Sequence, residues 1–313
     1  MGYLETTSGQ KPEKPVSIFG LMDWAREKNL SGVDIPLPAA HSAEEINDAL
    51  EERGLRLVAE CMALLSQSAE ENVAAIVKAQ KAGARVVRFC LSGVLEGKRA
   101  QVPGGWAAHR EALASRMREI LPVAEGLGVS LAFENHQDAD TSDFLWLYEK
   151  SGQSGAFGVC LDTGNPLAVG EDPIEATRVL APLIRHVHLK DYTIHFAPEG
   201  YRLVRCAAGT GVVDFSRILP IVCANGFSDL LPGIEIAAQA TRTIPIMEPS
   251  WWESFATRDV GTLLGPLGIL WKKGIPADRP YSSAWERGEG SQAVLAEEWA
   301  ILEQSVAYFR EMG

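Results

Sequence analysis

The chain is predicted to fold as an α/β protein, a (β/α)₈ barrel with a C-terminal helical extension. Three observations predict this. Short apolar, β-branched stretches alternate with helical stretches along most of the chain. Its 313 residues, 46% of them hydrophobic, suffice for one barrel-sized core. Four consecutive strand-like stretches also end in metal-ligand residue types, at the end of the strand where a barrel collects its functional groups. A doubly wound open sheet is the alternative. It ordinarily carries a Gly-rich phosphate turn after an early strand, and neither GxGxxG nor a P-loop occurs here.

A first strand is expected near residues 2–5. Residues 17–29 group Ile18, Leu21, Met22 and Trp24 on one side and read as a helix. Gly32-Val33-Asp34-Ile35, stopped by Pro36 and Pro38, reads as a strand. Ser42 with Glu45, and Ser68 with Glu71, form capping boxes that open helices over 42–53 and 68–82. Gly54 and Gly83 end them. Strands are expected at 55–61 and 85–90, the second followed by a Gly-rich loop through Gly104, Gly105 and Trp106. A helix over 107–127 precedes a strand over 129–136, and Asp138, Asp140 and Ser142 then cap a helix over 142–150. The alternation continues with strands at 157–161 and 184–189 around a helix at 172–183. A loop over 192–213, a helix over 214–225 and a strand over 231–236 complete it. The expected division is a barrel over 1–253 and a helical extension over 254–313. Leu295, Trp299, Leu302, Val306 and Phe309 form a helical stripe that packs on the barrel or on a partner subunit.

Composition excludes several functions. Lys and Arg number 29 against 41 Asp and Glu, a net charge of −12, which is the wrong sign for a nucleic-acid partner. No apolar run reaches the roughly 18 residues of a membrane span, and the N-terminus lacks a signal-peptide layout. The five cysteines are scattered, with no CxxC, as expected of reduced thiols in a cytoplasmic protein.

The chemistry centres on Arg185-His186-Val187-His188-Leu189-Lys190-Asp191. In a strand His186 and His188 face the same way, and buried imidazoles side by side need a metal or a carboxylate. Phe133-Glu134-Asn135-His136, Leu161-Asp162-Thr163-Gly164-Asn165 and Gly233-Ile234-Glu235-Ile236 each bring a carboxylate to a strand end. Glu134, Asp162, His188 and Glu235 together make a hard, oxygen-rich set. Mn²⁺ is the expected ion, with Mg²⁺, Co²⁺ or Zn²⁺ as alternatives. Three converging carboxylates would repel one another without a cation.

These motifs, with Gly209-Thr210-Gly211-Val212-Val213-Asp214, resemble the xylose isomerase-like TIM-barrel superfamily, which includes the sugar phosphate isomerases and epimerases. The resemblance covers nearly the whole chain to about Glu253. It implies a divalent metal held by Glu134, Asp162, His188 and Glu235. It also implies a sugar isomerase or epimerase acting through a metal-bound enediolate, with Glu134 and Glu235 moving the proton on carbon. Some relatives instead eliminate from 3-keto-glycosides or keto-inositols, and a non-catalytic barrel subunit is a third reading. Asn165 stands where epimerases often carry histidine, and Ile194 and His195 stand where their arginine is expected. Both departures favour elimination over simple ketose 3-epimerisation.

Further residues have paired readings. His136 is a second acid or base, or a buried hydrogen-bonding group. His186 lies deeper on the face of His188, supporting it or filling the core. Lys190 binds a substrate oxyanion or pairs with Asp191. Glu60, Arg88, Asn165 and Trp106 are candidate substrate contacts, with ion pairing or packing as the plainer roles. The expected partners are a small sugar or keto-sugar and either further copies of the chain or a small partner subunit, with no nucleic acid and no membrane.

Overall fold

The computed structural model describes residues 16–236, 239–256, 258, 260–279 and 281–312. Its centre is a parallel sheet whose strands follow chain order. They are β1 (Gly32–Pro36), β2 (Arg56–Ala63), β3 (Val86–Cys90), β4 (Ser130–Glu134), β5 (Phe157–Asp162) and β6 (Ile184–Leu189), with a short closing strand, β9 (Gly233–Ile234). Helices α1 (Ile18–Glu27), α2 (Ala43–Arg53), α3 (Ala69–Lys81), α4 (Trp106–Gly126), α5 (Thr141–Lys150), α6 (Pro173–Leu180) and α7 (Phe215–Cys223) alternate with these strands. This is a nearly closed (β/α) barrel. The first strand expected near residues 2–5 lies outside the described residues. Strands β1 and β9 both line a cavity of ≈ 400 Å³, together with Trp24, Leu231 and Phe309.

Local chemistry sets the helix starts. Ser42 and Ser68 each accept the backbone N–H of the glutamate three residues on, and that glutamate accepts the serine's own N–H. Asp140 and Asp143 form the same reciprocal cap for α5. The 138–140 stretch is therefore a helix cap, as its sequence suggested.

Two elements differ from expectation. Residues 192–213, expected as a loop, contain an antiparallel hairpin of β7 (Asp191–Ala197) and β8 (Gly200–Cys206), joined at its edge by β10 (Arg242–Ile244). Tyr192, Ile194, Tyr201 and Leu203 on one of its faces form a second core with Ile244, Trp251, Phe255 and Leu270. Their period-two pattern was present in the sequence, but Thr193, His195 and Arg202 between and beside the apolar positions masked it. The last barrel strand spans two residues rather than the expected 231–236.

Beyond the barrel lie α8 (Pro249–Trp252), α9 (Val260–Lys273) and α10 (Ser291–Met312). Just after α9 the chain pairs with β7, where Phe196 N–H donates to the Ile275 carbonyl. Helix α10 lies against α1 and α7: the Trp299 ring lies 5.0 Å from that of Trp24, tilted by 54°, and Phe309 lies 5.0 Å from Phe215. All five cysteines are free thiols. Among the described residues, no helix is long and apolar enough to cross a membrane.

The loops after β3, β4 and β5 are tied by a buried ion network. Arg99 reaches Asp143 at 2.6 Å and the Asp138 carbonyl at 2.5 Å, while Arg258 reaches Asp140 at 2.8 Å. Beside them Glu171 accepts the Thr141 hydroxyl at 2.7 Å. Burial, reinforced by the Asp140 carboxylate, pushes the Glu171 carboxyl up to about 7 from 4.5. A folded-state value above the unfolded one means that folding favours the protonated form. That contribution is full below pH 4.5 and is lost as pH rises through about 7. Glu171→Gln keeps an acceptor for Thr141 and removes the titration. The variant should melt above wild type at pH 8 and close to it at pH 4.5, as scanning calorimetry at the two pH values would measure.

Candidate metal centre

The strand register assembles the site. Glu134 stands opposite Cys90 and Cys160 in the ladder, Asp162 opposite His188, and His188 opposite Gly233, two residues before Glu235. Four neighbouring strand ends thus deliver one ligand-type side chain each. One ligand atom from each of Glu134, Asp162, His188 and Glu235 lies within 4.8 Å of the others. Glu134, Asp162 and His188 are buried, and Glu235 keeps 32% of its side chain exposed.

Each side chain is anchored on its far side. Arg88 holds Glu134 through Oε2 at 3.2 Å and pairs with Glu60 at 2.9 Å. Asp162 Oδ1 accepts the N–H groups of Gly164 and Asn165, at 2.9 and 3.1 Å. Asn135 clamps the Asp162 backbone from both sides, accepting its N–H at 2.5 Å and donating to its carbonyl at 3.1 Å. Lys190 holds Glu235 Oε1 at 2.9 Å. Asp34, on β1, takes both imidazoles on one oxygen, His186 Nε2 at 2.7 Å and His188 Nε2 at 2.8 Å.

The inward atoms remain unsatisfied. Glu134 Oε1, Asp162 Oδ2, His188 Nδ1 and Glu235 Oε2 are all buried without a hydrogen-bond partner. Buried polar atoms are rarely left unpaired, and four of them on one point fit a divalent cation. His188 Nδ1 contacts Glu235 Oε2 and lies 3.5 Å from Glu134 Oε1. Lys190 Nζ is 2.5 Å from Asp162 Oδ2, but not in a hydrogen-bonding direction.

Burial opposes charge throughout the site, and neighbours decide the outcome. Burial and the carboxylates of Glu235 and Glu134 push Asp162 up to about 6, in spite of Lys190. Burial also opposes ionisation of Glu134, yet Arg88 and His188 hold its carboxyl well below the usual range. His188 is raised well above its ordinary value: burial works against its charge, but Cys160, Glu235 and Glu134 outweigh it. Carboxylate repulsion alone is therefore a weaker argument for a metal than the sequence suggested, because Arg88 and Lys190 already neutralise part of the charge. The unsatisfied atoms carry the inference.

The other expected site residues are distributed around this point. Lys190 pairs with Asp162 and Glu235, and the pairing with Asp191, one of its two expected roles, does not form. Asp191 instead accepts four backbone N–H groups, from Tyr192, Gly209, Gly211 and Val213 at 2.9–3.0 Å. A Cβ at Gly211 would overlap the Asp191 carboxylate, which explains the glycine. His186 lies beneath His188, fully buried, and bonds Asp34. Asn165 is fully buried; its oxygen accepts from the Tyr192 hydroxyl at 3.3 Å and its Nδ2 has no partner. His136 Nδ1 is likewise buried without a partner. Trp106 belongs to the ion network, donating to Asp143 at 3.2 Å with its ring 4.7 Å from the Arg99 guanidinium. Sequence reasoning gave no role to Asp34 or Asn135. An acid between Val33 and Ile35 in an apolar strand was the available signal.

A family model described as xylose isomerase-like TIM barrel matches residues 22–252. The chain belongs to that family. A 3-oxo-isoapionate decarboxylase of Pectobacterium atrosepticum is 33% identical to this family member over 119 residues, covering 37% of the chain and 42% of the relative. The uncharacterised protein YihM of Escherichia coli is 26% identical over 211 residues, covering 65% of the chain and 62% of that protein. The match thus spans less than two thirds of either curated relative. D-psicose 3-epimerase of Clostridium cellulolyticum H10 shares the fold at a TM-score of 0.59 and 13% identity, covering 87% of this chain and 96% of that one. A xylose isomerase-like barrel of Mycobacterium smegmatis in complex with magnesium superposes at a TM-score of 0.52 and 17% identity, covering 83% and 89%.

Proposed function

We propose that this xylose isomerase-like barrel is an enzyme that binds a divalent cation, Mn²⁺ in the first instance, through Glu134, Asp162, His188 and Glu235. Its reaction removes a proton beside the carbonyl of a small sugar or keto-sugar and returns it, isomerising or epimerising the substrate. The observation that carries this reading is the convergence of four unsatisfied buried atoms on one point. Bound there, a divalent cation supplies Lewis-acid stabilisation of the negative charge that develops on a carbonyl oxygen.

The chain's own residues do the remaining work. Arg88 and Lys190 each fix one oxygen of Glu134 and Glu235, leaving the other oxygen directed inward. Glu235, the more exposed of the two, meets substrate entering from the barrel mouth and accepts the proton from carbon. Return of the proton by Glu235 to the adjacent carbon gives isomerisation; epimerisation needs a proton on the opposite face of the same carbon, which Glu134, ionised at rest, first takes up from solvent while Glu235 releases its own to solvent. Lys190 adds an ammonium donor for a substrate oxygen. The apolar stripe on α9, with Val260 72%, Leu264 63% and Trp271 84% exposed, supports assembly with further copies or a small partner subunit. Free thiols support a cytoplasmic location.

A second reading is loss of a group from a keto-sugar: the electron pair left on the carbon next to the ketone expels a leaving group or remains after CO₂ departs. Similarity to a 3-oxo-isoapionate decarboxylase favours it, as does Asn165 three residues after Asp162. Keto-sugars incubated with the Mn²⁺-loaded protein in D₂O separate the two. Deuterium uptake without release supports the first, and release of water, an aglycone or CO₂ supports the second. A chelator should stop either reaction and lower the melting temperature. Mn²⁺ restored at about 100 times its Kd should return about 2.7 kcal/mol of stability. Indifference to both treatments would remove the metal from the mechanism.

A further inference from the structure

We infer that Asp34 is the positioning residue of the metal centre, setting the tautomer of His188 so that its Nδ1 lone pair faces the other three ligands. The inference rests on the metal reading above and goes beyond it, because Asp34 is not one of the four ligands.

Asp34 sits in the middle of β1, between Val33 and Ile35, and its side chain points to the opposite face from theirs. There Oδ2 meets two ring nitrogens, Nε2 of His186 at 2.7 Å and Nε2 of His188 at 2.8 Å. The rings stand nearly perpendicular, at 87°, with centroids 4.9 Å apart, so both approach the same oxygen without stacking. A carboxylate oxygen only accepts, so each imidazole must carry its proton on Nε2. The other tautomer of His188 would set two lone pairs 2.8 Å apart in a buried space. It would also aim an N–H at the point where Glu134 Oε1, Asp162 Oδ2 and Glu235 Oε2 converge.

His186 contributes by pinning the carboxylate. It is fully buried, and its Nδ1 has no partner among the described residues, so its one polar contact is the bond that holds Asp34 in place. Ligating histidines generally need such an outer acceptor, and its loss typically costs 10–100-fold in metal affinity.

Calorimetric titration of the full-length, metal-stripped protein with Mn²⁺ tests this. Asp34→Ala should weaken Mn²⁺ binding by about 10–100-fold. Asp34→Asn, nearly isosteric, should fall between the two, because an amide oxygen accepts the same N–H without the charge. Leu302→Ala, in α10, serves as a control that loses packing without touching either imidazole and should bind Mn²⁺ as wild type does. A fall in affinity without a matching fall in apo-protein melting temperature distinguishes ligand positioning from general destabilisation. If wild type binds Mn²⁺ and Asp34→Ala binds it equally well, the role of Asp34 is overturned and the metal site stands. If wild type takes up no Mn²⁺, both are overturned.

Discussion

Glutamine at position 134 should lower turnover by about 10²–10⁴-fold and leave the protein folded. Glu134 is 2% exposed and lies between a cation on one side and the ligand cluster on the other. An amide fills the same volume but neither takes up a proton at neutral pH nor offers a charged ligand, so proton transfer and metal affinity fall together. Arg88 keeps its partner Glu60 at 2.9 Å, so the substitution leaves no buried guanidinium unpaired and the melting temperature should drop only modestly. Steady-state kinetics at saturating Mn²⁺ would separate the two losses, since added metal restores occupancy but not the base. Near-normal turnover in this variant would exclude Glu134 as a proton carrier.

The largest loss of stability is expected from Arg99→Met. Arg99 is 2% exposed and lies with its guanidinium 3.9 Å from the Phe255 ring and 4.7 Å from that of Trp106. It serves Asp143, Asp140 and the Asp138 carbonyl, and so ties the loop after β3 to the connection between β4 and α5. Burial works against the charge on Asp140, yet Arg99 and Arg258 together hold its carboxyl down at about 2. Methionine recovers part of the packing but leaves buried carboxylates without their cation, a loss of about 3–5 kcal/mol. Urea denaturation should show a lower midpoint with an unchanged slope. Mn²⁺ affinity should stay near that of wild type, because the four ligands hang on the strand ladder. A midpoint within error of wild type would show that Arg258 and Arg110 carry the network alone.

The barrel was legible because its rules are local. Apolar stretches alternate in period, and the serine–glutamate boxes at 42 and 68 mark helix starts through contacts only three residues apart. The four ligand types were legible for a related reason: a carboxylate or imidazole ending an apolar strand is conspicuous, and parallel strand ends lie side by side. The hairpin over residues 191–206 was not, because its charged intervening residues find partners far along the chain, as Arg205 does at Glu297 and Glu298.

From its sequence alone this protein was determined to be a β-α alternating chain with Glu134, Asp162, His188 and Glu235 at successive strand ends, and its family followed from those motifs. Only the tertiary structure decided which cation stands behind each carboxylate, and that Lys190 turns to Asp162 and Glu235 instead of its neighbour Asp191. It likewise decided that Asp34, more than 150 positions away, carries both histidines. The physical reason is range. Backbone periodicity and capping act over a few residues, whereas ion pairs and imidazole hydrogen bonds are chosen by whichever strands the barrel brings within about 3 Å.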